Sequence, residues 1–180
     1  MKTIIVFSSK TGFTEKYAKW LSEKLEDAKL FTLNEAKKLP KEAFEEADAV
    51  IYGGWVMASK VVGADWFAEK ADNWKGKKLA LYATGGSPED NPDIELWLNG
   101  AVPEDKREYV RTFYCPGGFC YEKMKLPARL AMKAFSSALR NKKDQTEQEK
   151  IMGEMISKDY DITDEKYADV IVKYIKGLQE

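Results

Sequence analysis

The chain has 180 residues, of which 44% are hydrophobic and 33% charged, as is typical of one globular domain with its own core. Its 29 basic and 30 acidic side chains leave a net charge of -1, which argues against a general nucleic-acid-binding protein. Histidine is absent and only two cysteines are present, which argues against histidine-based catalytic triads, most zinc sites and a disulfide scaffold.

Five short apolar segments predict the strands of a buried sheet. Residues 3–7 are continuous, apolar and mostly β-branched, which is typical of a strand covered on both faces in a parallel sheet. The later strands are predicted at residues 28–33, 47–52, 78–83 and 108–115. Glycine pairs end the last three of them, at Gly53-Gly54, Gly85-Gly86 and Gly117-Gly118.

Helical periodicity fills the segments between the strands. After the first strand, Tyr17, Leu21 and Leu25 recur at the spacing of one helix face. Further helices are predicted at residues 41–46, 64–72, 94–98 and 164–178. Because strands and helices alternate along the chain, we predict an α/β fold with a right-handed, doubly wound parallel sheet.

A segment of nearly fifty residues between the fifth strand and the last helix is more than such a sheet needs. Within it, residues 126–140 and 147–157 each predict a helix. The region 123–143 is strongly basic and has no acidic residue. Its cations are Lys123, Lys125, Arg129, Lys133, Arg140, Lys142 and Lys143.

The first of these two helices combines a basic stripe with an apolar face. Arg129, Lys133 and Arg140 fall on one narrow stripe at 100° per residue. The apolar face beside it consists of Leu130, Ala134, Phe135, Ala138 and Leu139. Two interpretations stay open: the helix packs on the domain and leaves a solvated basic edge, or the stripe attracts an anionic partner.

A hydroxyl-rich segment connects the first strand to the first helix. Its residues are Ser8, Ser9, Lys10, Thr11, Gly12, Phe13 and Thr14. Ligands of open α/β sheets bind at the carboxyl ends of the strands, and a helix N-terminus offers unpaired N–H groups to an anion. Because the segment adds hydroxyl donors and a glycine that permits close approach, it predicts a phosphate site that needs no cation. The alternative is a turn that only caps the helix.

Other phosphate-binding motifs are missing from the sequence. Neither G-x-x-x-x-G-K-[ST] nor G-x-G-x-x-G occurs, which argues against a P-loop nucleotidase and a dinucleotide-binding domain. A response-regulator receiver would need acidic residues after the first strand and an Asp at the end of the third. This sequence has Ser8-Ser9 and Gly53-Gly54 at those places.

In this strand context the segment resembles the flavodoxin family, whose pattern [ST]-x-T-G-x-T is similar to residues 9–14. The resemblance implies one flavodoxin-like domain over residues 1–180, a five-stranded sheet in the order 2-1-3-4-5 and a helical insertion at about residues 116–160. It also implies FMN as the cofactor. The contacts implied for this segment are those of Ser9, Lys10, Thr11, Gly12, Phe13 and Thr14.

A closer resemblance is to the branch of this family that contains menaquinone-dependent protoporphyrinogen oxidases. It covers residues 113–121 and 126–130, and residues 145–147 and 161–164 are similar as well. Phe13 stands where flavodoxins commonly have Asn, and the chain is less acidic than typical flavodoxins. Both departures disfavour the role of a simple low-potential electron carrier.

The resemblance places the loop after the third strand beside one side of the flavin ring. Its candidate contacts are Trp55, Val56 and Met57, because aromatic and thioether groups pack well on flat π surfaces. Gly53 and Gly54 suit a backbone carbonyl that rearranges when the flavin is protonated. The alternative is that Trp55 and Met57 are core or surface residues with no ligand.

The loop after the fourth strand is implied to lie at the pyrimidine side of the flavin. Thr84, Gly85 and Gly86 form it, and its glycines permit close backbone approach. Gly118, in the glycine-bearing turn after the fifth strand, completes the implied set. The alternative is an ordinary turn, since glycine pairs are common in turns.

No side chain of the sequence is a convincing general acid or base, so no catalytic residue is predicted and the chemistry would be that of the cofactor. Cys115 and Cys120 are interpreted as free thiols rather than as a redox pair or a metal site. The resemblance implies an FMN-dependent oxidoreductase acting on a quinone, a porphyrinogen or a similar small molecule. The alternative is a flavodoxin-type electron carrier that docks on redox proteins.

The expected partners and location follow from the same features. Arg129, Lys133 and Arg140 are candidates for peripheral contact with an anionic membrane surface that holds a quinone. No stretch approaches 18 apolar residues, and the apolar run after Lys2 is too short for a signal peptide. We therefore expect a soluble cytoplasmic protein with no nucleic-acid partner.

Overall fold

A computed structural model describes residues 1–178 of the chain as an α/β structure. Its strands are β1 (Thr3–Phe7), β2 (Ala28–Thr32), β3 (Ala49–Met57), β4 (Lys60–Val61), β5 (Lys78–Gly85), β6 (Val110–Pro116), β7 (Gly118–Phe119) and β8 (Tyr160–Asp161). Five strands form a parallel sheet in the order β2-β1-β3-β5-β6. This is the predicted order 2-1-3-4-5, because the additional β4 is only a short antiparallel partner of β3.

Helices cover both faces of this sheet. The α-helices are α1 (Phe13–Lys24), α2 (Leu33–Ala36), α3 (Lys41–Glu45), α4 (Ala64–Ala71), α5 (Ile94–Ala101), α6 (Leu126–Asn141), α7 (Glu147–Met155) and α8 (Glu165–Lys176). On one face Tyr17 of α1 and Ile171 of α8 share a buried cluster with Ile5. On the other face Phe67 of α4 shares a cluster with Val6. Neighbouring residues of β1 thus serve opposite faces, and all five residues of β1 are buried, as predicted.

The third strand is longer than predicted. The sequence interpretation ended it at Gly53-Gly54, but its pairing continues beyond both glycines, and β3 ends only at Met57. The reason is space: a Cβ added to Gly53 would lie 2.1 Å from Tyr82 Cζ, and one added to Gly54 would lie 2.6 Å from Val61 Cγ1. These glycines are therefore required by their neighbours and do not break the strand.

A tight hairpin joins β3 to β4. Ala58 and Ser59 form its turn with positive φ angles of 47° and 63°, the pattern of a type I′ turn. The turn closes the pair formed by Met57 and Lys60. The predicted loop after the third strand is therefore a β-hairpin at the carboxyl end of β3.

The strands β5 and β6 also extend past their predicted ends. The sequence interpretation stopped them at Thr84 and Pro116, whereas β5 includes Thr84 and Gly85, and β6 includes Pro116. Just beyond β6, the Gly117 N–H donates to the Gly85 carbonyl at 2.7 Å. The two glycine-bearing segments are thus hydrogen-bonded to each other at the carboxyl edge of the sheet.

The segment after β6 contains α6 and α7, where two helices are predicted, and a small antiparallel sheet of β7 and β8. The helices contact each other closely, since Ser136 Oγ donates to the Gly153 carbonyl at 2.9 Å. A Cβ added to Gly153 would lie 3.1 Å from Leu139 Cβ, so glycine lets the helices approach. The pairing of β7 with β8 was not predicted, because strands of two residues carry no periodicity.

Tyr17 of α1 holds both ends of this inserted segment. Its buried hydroxyl donates to the Pro116 carbonyl at 2.7 Å and accepts from the Asp164 N–H at 3.2 Å. Burial raises the pKa of Tyr17, so the hydroxyl stays neutral and keeps its proton to donate. The Ile162 N–H also donates to the Gly117 carbonyl at 2.8 Å. These hydrogen bonds therefore attach both ends of the insertion to α1 and to the carboxyl edge of the sheet.

Lys16 adds a charged link at the same place. Its Nζ donates to Asp161 Oδ2 at 2.9 Å and to Thr163 Oγ1 at 2.6 Å. Partial burial acts to raise the pKa of Asp161, but the hydrogen bonds from Thr163 and Lys16 outweigh it and lower the pKa.

Within residues 1–178, no helix is both long and apolar enough to cross a lipid bilayer.

Candidate functional site

Loop 8–14 begins at the carboxyl end of β1 and leads into α1. Gly12 is the N-cap of α1 with φ 99°, a left-handed conformation that favours glycine. Its N–H donates to Ser9 Oγ at 3.1 Å, so Ser9 shapes the loop and its own O–H remains a donor. No side chain caps the first turn of α1 within the described residues. The helix therefore presents uncapped N–H groups at the place where a phosphate is predicted.

The remaining loop residues differ in burial and in their neighbours. Thr11 is half-buried, whereas Thr14 is buried and its carbonyl accepts a hydrogen bond from Tyr82 at 3.0 Å. Phe13 packs on the insertion: a Cβ added to Gly118 would lie 2.7 Å from Phe13 Cζ. This contact gives Phe13 and Gly118 a packing role next to the predicted site.

Lys123 approaches the loop from the insertion. Its Nζ lies 3.1 Å from the position of a Cβ added to Gly12. The sequence interpretation required no cation at the phosphate site. It included Lys10 among the predicted site residues but not Lys123. Its only sequence signal is membership in the basic region 123–143.

The β3–β4 hairpin stands beside the loop. Lys10 Nζ lies 5.1 Å from the centroid of the Trp55 ring, a cation–π contact that joins the two segments. The Trp55 carbonyl accepts from the Val62 N–H at 2.9 Å, which fixes the hairpin backbone. Val56 is half-buried, and Met57 at the hairpin tip is 51% exposed. An apolar thioether is thus open to solvent or to a ligand next to the loop.

The end of β5 carries an unsatisfied polar atom. Thr84 is buried, and its Oγ1 has no hydrogen-bond partner within the described residues. A Cβ added to Gly117 would lie 2.7 Å from Thr84 Cγ2 and 3.3 Å from Phe13 Cβ, so Thr84 and Phe13 are close neighbours. A buried hydroxyl without a partner costs free energy unless a ligand or water satisfies it.

The insertion lies against the segment that follows Thr84. Tyr160 of β8 donates its hydroxyl to the Gly86 carbonyl at 2.6 Å. The ring of Tyr160 stacks on Phe119 of β7 at a centroid distance of 6.1 Å. Gly85 lies close to Tyr114, whose hydroxyl would be 2.6 Å from an added Cβ. The structure thus brings Thr84, Gly85 and Gly86 together with the insertion at the carboxyl edge of the sheet.

The backbone carbonyl of Gly53, which was expected to rearrange, is hydrogen-bonded at the carboxyl edge of the sheet. The Gly53 carbonyl accepts from the Ser8 N–H at 2.8 Å. A rearrangement at Gly53 would break this bond to loop 8–14. Packing against Tyr82 and the β4 segment accounts for Gly53 and Gly54 without any ligand.

The two cysteines behave as separate free thiols. Cys115 is completely buried in the sheet, and burial raises the pKa of its thiol. Cys120 is partly buried in the insertion.

An open depression of about 800 Å³, lined by Asp48, Gly76 and Tyr109, lies at the opposite edge of the sheet. Ligands of open α/β sheets bind at the carboxyl ends, so we place the candidate site at loop 8–14.

A doubly wound sheet with a hydroxyl-rich loop at the carboxyl end of β1 is the arrangement in which α/β domains bind phosphate-bearing ligands. The flavodoxin domain matches residues 4–172 of the sequence. The chain therefore belongs to the flavodoxin domain family, and the predicted cofactor, FMN, is confirmed. No curated protein sequence matches the chain at a significant level.

Solved structures with a similar fold include three flavin-related proteins. A flavoprotein from Lactobacillus acidophilus, solved in complex with FMN, is 12% identical and matches over 64% of this chain and 91% of that chain, with a TM-score of 0.47. A flavodoxin from the domain Archaea is 14% identical over 87% and 96% of the two chains, with a TM-score of 0.43. A WrbA-like flavodoxin from Agrobacterium tumefaciens is 16% identical over 96% and 98%, with a TM-score of 0.44.

Proposed function

We propose that this protein is an FMN-dependent oxidoreductase that exchanges electrons with a quinone, a porphyrinogen or a similar small molecule. The main structural support for the site is that α1 begins without a side-chain cap near the buried Thr84 hydroxyl, which has no hydrogen-bond partner within the described residues. The likeness of residues 113–121 and 126–130 to the protoporphyrinogen oxidase branch supports the substrate class.

In this proposal the phosphate of FMN binds to loop 8–14. The hydroxyls of Ser9, Thr11 and Thr14 and the first N–H groups of α1 would donate to it. Lys10, through its contact with Trp55, would hold the loop against the hairpin. These donors would surround one anion, which suits a phosphate ester better than an uncharged group.

The flavin ring would lie between the β3–β4 hairpin and residues 84–86. Trp55 and Met57 would cover one side of the ring, with Val56 beside them, and Gly85 and Gly86 would line the pyrimidine side. When bound, FMN supplies the electron transfer, and the residues of this chain position the ring and limit the access of water. The inserted β7–β8 sheet, which contacts Gly86 through Tyr160, would border the space for a small substrate.

Reductive titration and reoxidation by a quinone test this function. The protein loaded with FMN should take up two electrons in one resolved step, and a water-soluble naphthoquinone should reoxidise it with saturation kinetics. The exposed Met57 at the hairpin tip gives a docking protein an apolar contact, which favours the carrier as the second candidate. Two resolved one-electron steps without saturation by the quinone would support the carrier and contradict the oxidoreductase.

We further propose that α6 contacts an anionic membrane surface that holds the quinone. Leu130 and Phe135 are 59% and 47% exposed, so this part of the apolar face of α6 is not packed on the domain, whereas Leu139 contacts α7. Arg129, Lys133 and Arg140 flank this face, and none forms an ion pair within residues 1–178. Cations beside exposed apolar side chains suit a surface with negative headgroups and an apolar interior.

The triple variant Arg129→Gln, Lys133→Gln, Arg140→Gln should lose most binding to phosphatidylglycerol vesicles at low salt, because each cation near an anionic surface contributes about 1 kcal/mol. Cosedimentation measures the bound fraction. The control Lys29→Gln, Lys37→Gln, Lys38→Gln removes three exposed cations elsewhere and should bind like the wild type. Equal binding of the wild type to neutral and anionic vesicles, or none to either, would leave the stripe as a solvated face.

A further inference from the structure

Lys123 is held over loop 8–14 by a fixed turn of the insertion. The Tyr121 N–H donates to Asp159 Oδ1 at 2.8 Å, and the Met124 N–H donates to the Tyr121 carbonyl at 3.1 Å. The Tyr121 side chain is buried, and its hydroxyl donates to the Ile156 carbonyl. These bonds anchor residues 121–124, so the 3.1 Å approach of Lys123 Nζ to the Gly12 Cβ position rests on an ordered backbone.

The charge of Lys123 is not balanced by the protein. Within residues 1–178 it forms no ion pair, while Lys16 of α1 is paired with Asp161. Gly12 is also the start of α1, where the helix dipole is positive and repels a cation. An anion bound beside both groups would remove this repulsion and stabilise Lys123 at this position.

We propose that Lys123 is a phosphate ligand of FMN: its Nζ donates a charge-assisted hydrogen bond to the phosphate bound at loop 8–14. The proposal rests on the proposed function, because it assigns the anion to FMN. A phosphate dianion would be attracted both by the helix N-terminus and by the ammonium group, and it would remove their mutual repulsion. The insertion would then take part directly in recognising the cofactor.

Lys123, as a phosphate ligand, should affect the affinity for FMN and not the affinity for riboflavin. Riboflavin has the same ring system and no phosphate, so Lys123 should contribute to the affinity of FMN alone. Because Lys123 is exposed, part of its attraction to the phosphate is screened by salt. The dissociation constants of both flavins, measured at low and high salt, therefore report on Lys123 without any assay of turnover.

The test compares Lys123→Gln with Lys125→Gln, which removes an exposed cation two residues further along the same segment. Lys123→Gln should weaken FMN binding about tenfold at low salt, with a smaller salt dependence and unchanged riboflavin affinity. Lys125→Gln should bind both flavins like the wild type, and Lys123→Arg should restore most of the FMN affinity. Flavin fluorescence gives the dissociation constants, and circular dichroism checks the fold.

Two results would overturn the assignment of Lys123. One is an unchanged FMN affinity in Lys123→Gln, and the other is an equal loss for FMN and riboflavin. A wild type that binds riboflavin as tightly as FMN would instead contradict the phosphate site of the proposed function. The failure of the two proposals can therefore be told apart.

Discussion

Replacing Gly53 by alanine should lower the free energy of unfolding by about 3 kcal/mol. The added Cβ would lie 2.1 Å from Tyr82 Cζ and 2.2 Å from its hydroxyl oxygen. The Tyr82 side chain is completely buried, and its hydroxyl donates to the Thr14 carbonyl at 3.0 Å. The ring cannot move away without breaking this hydrogen bond or displacing its neighbours. The substitution should therefore destabilise the packed core next to loop 8–14.

Urea denaturation of Gly53→Ala measures this loss, and Gly100→Ala is its matched control. Gly100 lies in α5, where an added Cβ meets nothing within 4 Å. Alanine in a helix is more favourable than glycine by about 1 kcal/mol, so the control should be slightly more stable than the wild type. A Gly53→Ala variant within about 1 kcal/mol of the wild type would show that the Tyr82 ring has room to move.

The strands of the sheet could be predicted because their signals are local, whereas their order was implied by the resemblance to the flavodoxin family. β1 and the predicted part of β3 are continuous apolar runs, and the turn residues between strand and helix lie within a few positions of them. Loop 8–14 was predicted for the same reason, since its hydroxyls and Gly12 form one contiguous motif. Periodicity and short motifs are sufficient wherever the determining residues are neighbours in sequence.

The ends of β3 and β5 could not be predicted from local signals. Glycine normally marks a turn, but Gly53 lacks a side chain because Tyr82, on another strand, occupies that space. In the same way, Gly85 continues β5 and its carbonyl accepts from Gly117 across the sheet. The physical reason for each glycine is a contact distant in sequence, which periodicity does not contain.

The position of Lys123 shows the same limit at the candidate site. The sequence identifies it only as one of seven cations in a basic region. Its approach to Gly12 depends on the bonds of Tyr121 to Asp159 and Ile156, within an insertion whose base is held by Tyr17. The position of Lys123 over the loop therefore depends on tertiary hydrogen bonds that the basic pattern does not contain.

Removing the hydroxyls of Thr11 and Thr14 together should lower the affinity for FMN at least tenfold. In the double variant Thr11→Val, Thr14→Val the side chains keep nearly the same volume and lose only their donors. A hydrogen bond to a charged acceptor is worth about 1.5–3 kcal/mol, and water compensates in part where Thr11 is accessible. Riboflavin, which has no phosphate, should bind the variant and the wild type equally well.

Titration of flavin fluorescence at fixed salt gives both dissociation constants, with Thr112→Val as a control for a half-buried threonine outside the loop. If riboflavin affinity fell in parallel with FMN affinity, the hydroxyls would be shaping the loop rather than binding phosphate. An unchanged FMN affinity would assign recognition to the N–H groups of α1 and to Lys123. In that case combining the variant with Lys123→Gln should produce no more than the loss seen for Lys123→Gln alone, because the hydroxyls would contribute nothing to remove.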